Sequence, residues 1–567
     1  MVKFNELKTR DDLADFLDIP HRVLTHLLYK KRIENCYLTF EISKKSGGIR
    51  KIAAPCPELK AIQQKLAWSL HNYQSELWKE RNISPNISHA FEPKKSIITN
   101  AFIHRNKRYV LNLDLENFFG TIHFGRVCGF FQKHRDFKLP YEVSVVIAQL
   151  ACYNGALPQG APSSPIIANM ICQSLDMHLL SVAKGYKLDY TRYADDLTFS
   201  TNNKHFLENR DRFFSAIQRE IKRAGFTINE KKTRLLFRDS RQEVTGLVVN
   251  KKLNVNKQYI KDTRAMAHQL YTTGDFVING EKGTLAQLEG RFSFIDQLDH
   301  YNNQIDSDKG STHDAFHLNA RERQYKAFLF YKYFFANEKP LIITEGKTDI
   351  RYIKAALKKE YTSYPELIER REDGSFNFKI SFFNRSKRWR YFFNLSMDGA
   401  DAMKVLYRHF SGVNKQFNYM KYFQSLSDQK PRKPVIFLYD NETENKNKHP
   451  LQSFLSEAKI SENDRALLQK QLYLRLIEGG NLYLVTNPLK AGEKESEIED
   501  LFTQETLAHK IQGREFTKAE KYDTSKKYGK EIFSQYIMRN YEKIDFSGFL
   551  PLLDAIDKTQ KAMEANG

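Results

Sequence analysis

The sequence predicts an α+β unit over its first 255 residues, then a helical segment, then an α/β unit, and three observations carry that reading. Short strand-like runs alternate with amphipathic helical stretches between residues 37 and 255. A polar stretch, YNNQIDSDKGSTH at residues 301–313, interrupts the chain with Asn, Asp, Ser and Gly. Beyond it, residues 340–344, 434–439 and 481–486 are continuous apolar runs, the type that fills a parallel sheet covered on both faces.

The elements follow in order. Residues 1–35 read as short helices, because Leu13, Phe16 and Leu17 recur at helical spacing. Strands are expected at 109–115, 188–193 and 196–200, and helices from 256 to about 300. A helix over 318–337 leads into the second alternating unit. The resulting segments are 1–255, 256–310 and 311–567.

A hydrophobic fraction of 41% over 567 residues can fill several cores, which excludes a mainly disordered protein. The 89 Lys and Arg outnumber the 68 Asp and Glu, giving a net charge of +21 that suits a polyanionic partner. Cys36, Cys56, Cys128, Cys152 and Cys172 show no close pair with metal-ligand spacing, so buried free thiols in a reducing cytosol are expected. The N-terminus, MVKFNELKTRDDLADFL, carries charges where a signal peptide needs an apolar core. No run is read as long enough for a membrane span, so a cytoplasmic protein without a membrane partner is expected.

Tyr193-Ala194-Asp195-Asp196 lies between KLDYTR and LTFS, which reads as a β-hairpin with both aspartates at its turn. Asp114 ends the apolar run YVLNLD. Nucleotidyl transfer uses two divalent cations, one activating the attacking hydroxyl and one steadying the pyrophosphate. Adjacent carboxylates at a turn, joined by a third from another strand, can hold such a pair. An isolated Asp-Asp is an ordinary solvated turn; the partnership with Asp114 sets this one apart.

These residues resemble the YxDD box and upstream aspartate of reverse transcriptases, and the resemblance runs through residues 37–255. It implies a right-hand polymerase of fingers, palm and thumb, with residues 256–310 as thumb and linker. It implies Mg²⁺ on Asp114, Asp195 and Asp196 as catalytic ligands, and dNTPs as substrates. Phe119, five residues after Asp114, matches the bulky gate against a ribose 2′-hydroxyl. Residues 158–165 (PQGAPSSP) resemble the primer-template and nucleotide-pocket loop, with Gln159 in the pocket. Residues 225–233 (GFTINEKKT) resemble the next motif, whose lysine approaches the triphosphate; Lys232 is the first choice and Lys231 the alternative. Residues 45–50 (KSGGIR) resemble the fingers motif, with Arg50 facing the incoming phosphates. Taken singly, Phe119 is an ordinary core residue and each cation a solvated charge.

Asn100-Ala101-Phe102-Ile103-His104 resembles the NAxxH motif of retron reverse transcriptases, and Val244-Thr245-Gly246 their VTG motif. The resemblance implies RNA contacts by Asn100, His104, Thr245 and Gly246. It also implies recognition of a cognate structured non-coding RNA and priming from a guanosine 2′-hydroxyl. The product would be multicopy single-stranded DNA (msDNA) joined to RNA by a branch. No RNase H-like unit is read downstream, so template removal is expected to fall to a host RNase H. A group II intron-like enzyme is the competing reading; both short motifs, and the lack of maturase and zinc-nuclease segments, weigh against it.

In the second half, residues 342–349 (IITEGKTD) read as strand, glycine turn and helix, which puts Glu345 at a strand's C-terminal edge. A second strand ends in Asp440-Asn441-Glu442, and carboxylates gathered at one sheet edge can hold Mg²⁺. This resembles the Toprim domain of topoisomerases, primases and overcoming-lysogenization-defect nucleases. The Glu345–Asp349 spacing and the acidic SEIED at 496–500 look most like the nuclease branch. The resemblance implies Glu345 as general acid/base or ligand, and Asp349, Asp440, Glu442 and Glu499 as metal ligands, with Glu499 preferred to Glu497. The usual Asp-x-Asp is Asp-x-Glu here, which leaves open a non-catalytic scaffold that binds the DNA product. Lys526, Lys527 and Lys530 read as a solvated helix face, or as a cation for the scissile phosphate. The combined expectation is a retron polymerase fused to an effector nuclease in antiphage defence, cleaving a cellular nucleic acid, with homo-oligomerisation left open.

Overall fold

Four antiparallel strands form the central sheet of the first unit, in the order Asp189–Tyr193, Asp196–Thr201, Tyr109–Asp114, Arg234–Phe237. The computed structural model describes residues 3–43, 47–83, 86–307, 317–397, 399–442, 449–519 and 521–564. Lys45 and Ser46 of the KSGGIR motif, and residues 308–313 of the polar stretch, lie outside the described residues. The chain divides into two compact units, Met1–Asn256 and Lys257–Gly567.

In the first unit, helix Phe206–Arg223 buries Phe206, Phe213, Ile217 and Ile221, an apolar stripe at helical spacing. Helix Ser164–Gly185 is buried along most of its length and joins the same core as Leu197 and Phe199 of the sheet. By length and composition it can also cross a membrane, contrary to the sequence reading. Its burial inside the unit accounts for that composition. At the N-terminus, Thr9 caps helix Arg10–Phe16 by accepting from Asp12 N–H, and Leu13 and Leu17 are buried. A separate hairpin pairs Tyr37–Ser43 with Ile49–Pro55, bringing Ile42 opposite Arg50.

The second unit holds a five-stranded sheet in the order Ser381–Phe382, Leu341–Ile343, Val435–Tyr439, Leu482–Thr486, Tyr473–Arg475. The first four strands are parallel and the last antiparallel. Alternate side chains feed two cores: Leu341, Ile343, Val435, Phe437 and Leu484 enter one, while Ile342, Ile436, Leu438, Tyr483 and Val485 enter the other. Burial on both faces is why these strands read as unbroken apolar runs. Ser381–Phe382 escaped the sequence reading because two residues carry no period.

The boundary near 310 needs correction. Helices Lys257–Thr273 and Leu285–Ser307 belong to the second unit, where Phe292 stacks on Tyr325 at 5.5 Å and Tyr271 packs on Tyr331 at 4.9 Å. Residues 301–307 continue the helix instead of opening a linker. Asn303 explains it: its side-chain amide donates to Glu322 at 3.2 Å, so a polar sequence is held by a partner helix.

Candidate active site

The aspartate pair sits on a two-residue hairpin turn. Tyr193 pairs with Asp196, leaving Ala194 and Asp195 at the tip, and Ala194 takes a left-handed φ of 56°. That conformation is costly for an alanine and needs support from its surroundings. Arg192 supplies it, donating to the Ala194 carbonyl at 3.2 Å and to Asn169 Oδ1 at 3.1 Å while fully buried. Sequence reasoning missed Arg192; the available signal was an arginine in the strand that leads directly into the aspartate pair.

Strand register brings in the third carboxylate. Asp114 lies directly opposite Asp196, and Leu115 N–H donates to the Asp195 carbonyl at 3.0 Å. Lys232, not Lys231, reaches this group: its Nζ is 2.8 Å from Asp114 Oδ2. Asn229 Nδ2 donates to the other Asp114 oxygen at 3.3 Å, a contact the sequence reading did not assign. Asp195 is raised above the usual carboxylate range, first by burial, then by Asp114, with Lys232 and Arg50 opposing. Asp196 is also raised, first by enclosure, then by Asp195 and Asp114. Its side chain opens to water, which moderates that shift.

A cleft of about 1010 Å³ is lined by Asp114, Asp195, Arg50, Phe119, Gln159 and Lys232 together. Phe119 stands half-buried on its wall, edge-on to the buried Phe118 at 5.2 Å. Gln159 docks the pocket loop on the hairpin, its carbonyl accepting from Ala53 N–H at 2.9 Å. Gly160 is required there, because φ is +126° and a Cβ would stand 2.6 Å from the Ala53 carbonyl.

These donors fit Mg²⁺. They are hard oxygens, and burial followed by mutual repulsion raises Asp195 and Asp196, which a bound cation would relieve. Among the described residues no three acidic, His or Cys side chains form a ready-made cage. Mg²⁺ uses few protein ligands and completes its shell with water and phosphate, so an open site suits it. Bound there, it would activate a hydroxyl and neutralise pyrophosphate. Lys232 balances Asp114, and Arg50 adds positive charge to the same cleft.

The NAxxH residues require a correction. Asn100 and His104 are completely buried, so neither can contact RNA. The Thr191 hydroxyl donates to Asn100 Oδ1 at 2.6 Å and therefore accepts from His104 Nε2 at 2.7 Å. His104 Nδ1 then accepts from the Ser200 hydroxyl at 2.7 Å. Thr191 and Ser200 lie on the two strands of the aspartate hairpin, so the motif locks helix Ile97–Ile103 to that hairpin. The VTG segment meets the same helix. Thr245 and Gly246 form a two-residue turn, both with positive φ, between Glu243–Val244 and Leu247–Val248. The Thr245 hydroxyl donates to the Ile97 carbonyl at 3.4 Å, and Gly246 is exposed at the tip.

The second unit gathers its own carboxylates at the C-terminal edge of the parallel sheet. Glu345 follows Leu341–Ile343, and its Oε1 accepts from Asp440 N–H at 3.1 Å after Val435–Tyr439. Burial, then Asp349 and Glu442, push Glu345 up to about 7 against the Asp440 N–H. Burial first, then Glu345, Asp349 and Glu499, raise Asp440. Asp349 accepts from Gly346 N–H at 2.8 Å and so also caps helix Lys347–Lys359. Glu442 is held by His449 Nδ1 at 2.9 Å. Glu499 is completely buried with Oε1 unpartnered, whereas the Glu497 side chain is partly exposed. Lys530 bonds both, at 3.0 Å to Glu499 and 3.1 Å to Glu497, so it is no solvated lysine. Oxygen donors with an orphaned buried carboxylate oxygen fit a divalent cation.

Asp114 and Asp195 face a cleft with Lys232 and Arg50, and Asp196 lies opposite Asp114 across the strands, an arrangement suited to nucleotidyl transfer. The family model described as "Reverse transcriptase (RNA-dependent DNA polymerase)" matches residues 42–258. The chain belongs to the retron reverse transcriptases. It is 35% identical over 290 residues to the retron Ec86 reverse transcriptase of Escherichia coli, covering 51% of this chain and 84% of that protein. It is 32% identical to the retron Mx65 reverse transcriptase of Myxococcus xanthus, over 51% of this chain and 68% of the relative. The retron Ec83 reverse transcriptase of Escherichia coli is 31% identical over 47% of this chain and 76% of its own length. The chain is thus an RNA-directed DNA polymerase of the mixed α/β, right-hand kind.

Proposed function

We propose that this enzyme copies a cognate structured non-coding RNA into branched, RNA-linked msDNA, with Asp114, Asp195 and Asp196 as the Mg²⁺-binding catalytic residues. The observation that carries the reading is Asp114 facing the aspartate hairpin in register, beside Lys232, in a cleft that Arg50 and Gln159 also line. Phe119 on the wall excludes ribonucleotides. RNA is met by the exposed turn at Thr245–Gly246, which the NAxxH helix supports from within. The test is co-expression with the RNA encoded beside the gene. A branched RNA–DNA product is expected, and linear DNA alone contradicts the proposal.

The second unit is read as a Toprim nuclease acting as the effector in antiphage defence, restrained while msDNA is bound. Support comes from Glu345 after the first parallel strand, Asp440 and Glu442 after the third, and Glu499 with Lys530 beside them. Phage protection is expected to vanish in Glu345→Ala; intact protection sinks the effector role. A scaffold that binds msDNA without cleaving is the second reading, favoured by the Glu442 carboxylate already engaged by His449. Purified protein with Mg²⁺ separates them: cleavage of RNA or DNA that disappears in Asp440→Ala selects the enzyme.

A further inference from the structure

The hairpin that carries Arg50 has a cysteine at each foot. Cys36 immediately precedes strand Tyr37–Ser43, and Cys56 immediately follows strand Ile49–Pro55. Tyr37 pairs with Pro55, and one residue beyond that pair Cys56 N–H donates to the Cys36 carbonyl at 2.6 Å. Residues bonded in this way across an antiparallel pair stand about 5.5 Å apart at Cα, inside the roughly 4.4–6.8 Å that a disulfide spans.

The two thiols are unlike. Cys36 is buried, and its Sγ donates to the Arg32 carbonyl at 3.5 Å. Burial, reinforced by Cys56, pushes Cys36 up to about 11. Cys56 is half-buried, stands at the N-cap of the 24-residue helix Pro57–Glu80, and has Lys31 Nζ 3.9 Å from its Sγ. Lys31 also bonds Glu58 at 2.7 Å. The pair therefore combines an accessible thiol with a resolving thiol, the arrangement of redox-sensing cysteines. Cys128, Cys152 and Cys172 are each buried.

We propose that Cys36 and Cys56 form a thiol–disulfide switch at the base of this hairpin, with Cys56 attacking and Cys36 resolving. The oxidant is a low-molecular-weight disulfide of the glutathione type. Cys56 loses its proton and its sulfur attacks one sulfur of the oxidant. A mixed disulfide forms, and the expelled glutathione thiolate takes up a proton. Cys36 loses its proton and attacks the Cys56 sulfur, expelling the second glutathione thiol. Two protein thiols are oxidised by two electrons, and one glutathione disulfide is reduced to two thiols. The bond ties the feet of strands that bear Arg50 and the Ala53–Gln159 contact, so the switch acts on nucleotide binding in the cleft.

The full chain treated with oxidised glutathione tests this by peptide mapping and by dNTP incorporation on an RNA template. Expected are a linked Cys36–Cys56 peptide, loss of two of the five free thiols, and a several-fold fall in incorporation that dithiothreitol reverses. Cys36→Ser is expected to stop at a glutathione adduct on Cys56, and Cys56→Ser to make incorporation insensitive to the oxidant. A wild-type map with no linked peptide overturns the proposal, as does full cross-linking with unchanged incorporation. The map needs no activity, so its outcome stands apart from any failure of the polymerase assay.

Discussion

Arg192 grips Asp176 through two 2.8 Å hydrogen bonds, Nε to Oδ1 and Nη2 to Oδ2, with both side chains almost wholly removed from water. The Tyr190 hydroxyl adds a third bond to the same carboxylate at 2.9 Å. One residue pair thereby fixes the aspartate hairpin to the core helix Ser164–Gly185. Removing one partner strands the other's charge in the interior, which costs about 3–5 kcal/mol. Asp176→Asn is therefore expected to lower unfolding free energy in urea by that amount and to abolish cDNA synthesis. A loss below about 1 kcal/mol contradicts the anchoring role.

His104 predicts a pH dependence of stability. Burial first, then Lys107 and His89, lower its pKa from the ordinary histidine value to about 3. Below about 6.5 the unfolded chain binds a proton that the folded chain refuses, so stability is full above that pH. It falls as pH drops from 6.5 toward 3, by up to about 1.4 kcal/mol per pH unit. Buried His89, lowered to about 4, acts in the same direction. Urea melts at pH 7.5 and 5.5 read the slope, and His104→Gln is expected to flatten it. An unchanged slope in the variant assigns the effect elsewhere.

The gate role proposed for Phe119 gives a prediction about sugar selection. Its ring lines the same cleft as Asp114. Phe119→Ala is expected to raise ribonucleotide incorporation relative to dNTPs by about ten- to two-hundred-fold, the range a steric wall supplies. Equal selectivity in competition assays removes the gate assignment.

Gly160 is a backbone requirement of the pocket loop. A methyl group would strike the Ala53 carbonyl at 2.6 Å in a φ region that disfavours alanine. Overpacking of this kind costs about 1–3 kcal/mol. Gly160→Ala is expected to raise KM for dNTPs more than it lowers kcat, because the clash displaces Gln159 from the hairpin. Unaltered steady-state constants contradict that coupling.

The sequence disclosed what chemistry demands by residue type and order. Asp114, Asp195 and Asp196 stand out because a metal-binding hairpin needs carboxylates at a turn and another at a strand end. The strands at Val435–Tyr439 and Leu482–Thr486 were legible because burial on both faces erases polar alternation. What stayed hidden depends on contacts between distant residues. Asn100 and His104 look like polar ligands in one dimension, and only their bonds to Thr191 and Ser200 reveal an internal brace. Lys530 reads as a surface lysine until Glu497 and Glu499 meet it. Residues 301–307 read as linker because the partner Glu322 is supplied by another helix.

The most direct measurement is primer extension on an RNA template by the double variant Asp195→Asn, Asp196→Asn, alongside its thermal melt. The account predicts an unaltered or higher melting temperature, since two crowded charges are removed, and no detectable cDNA. Undiminished cDNA from a folded variant would contradict it.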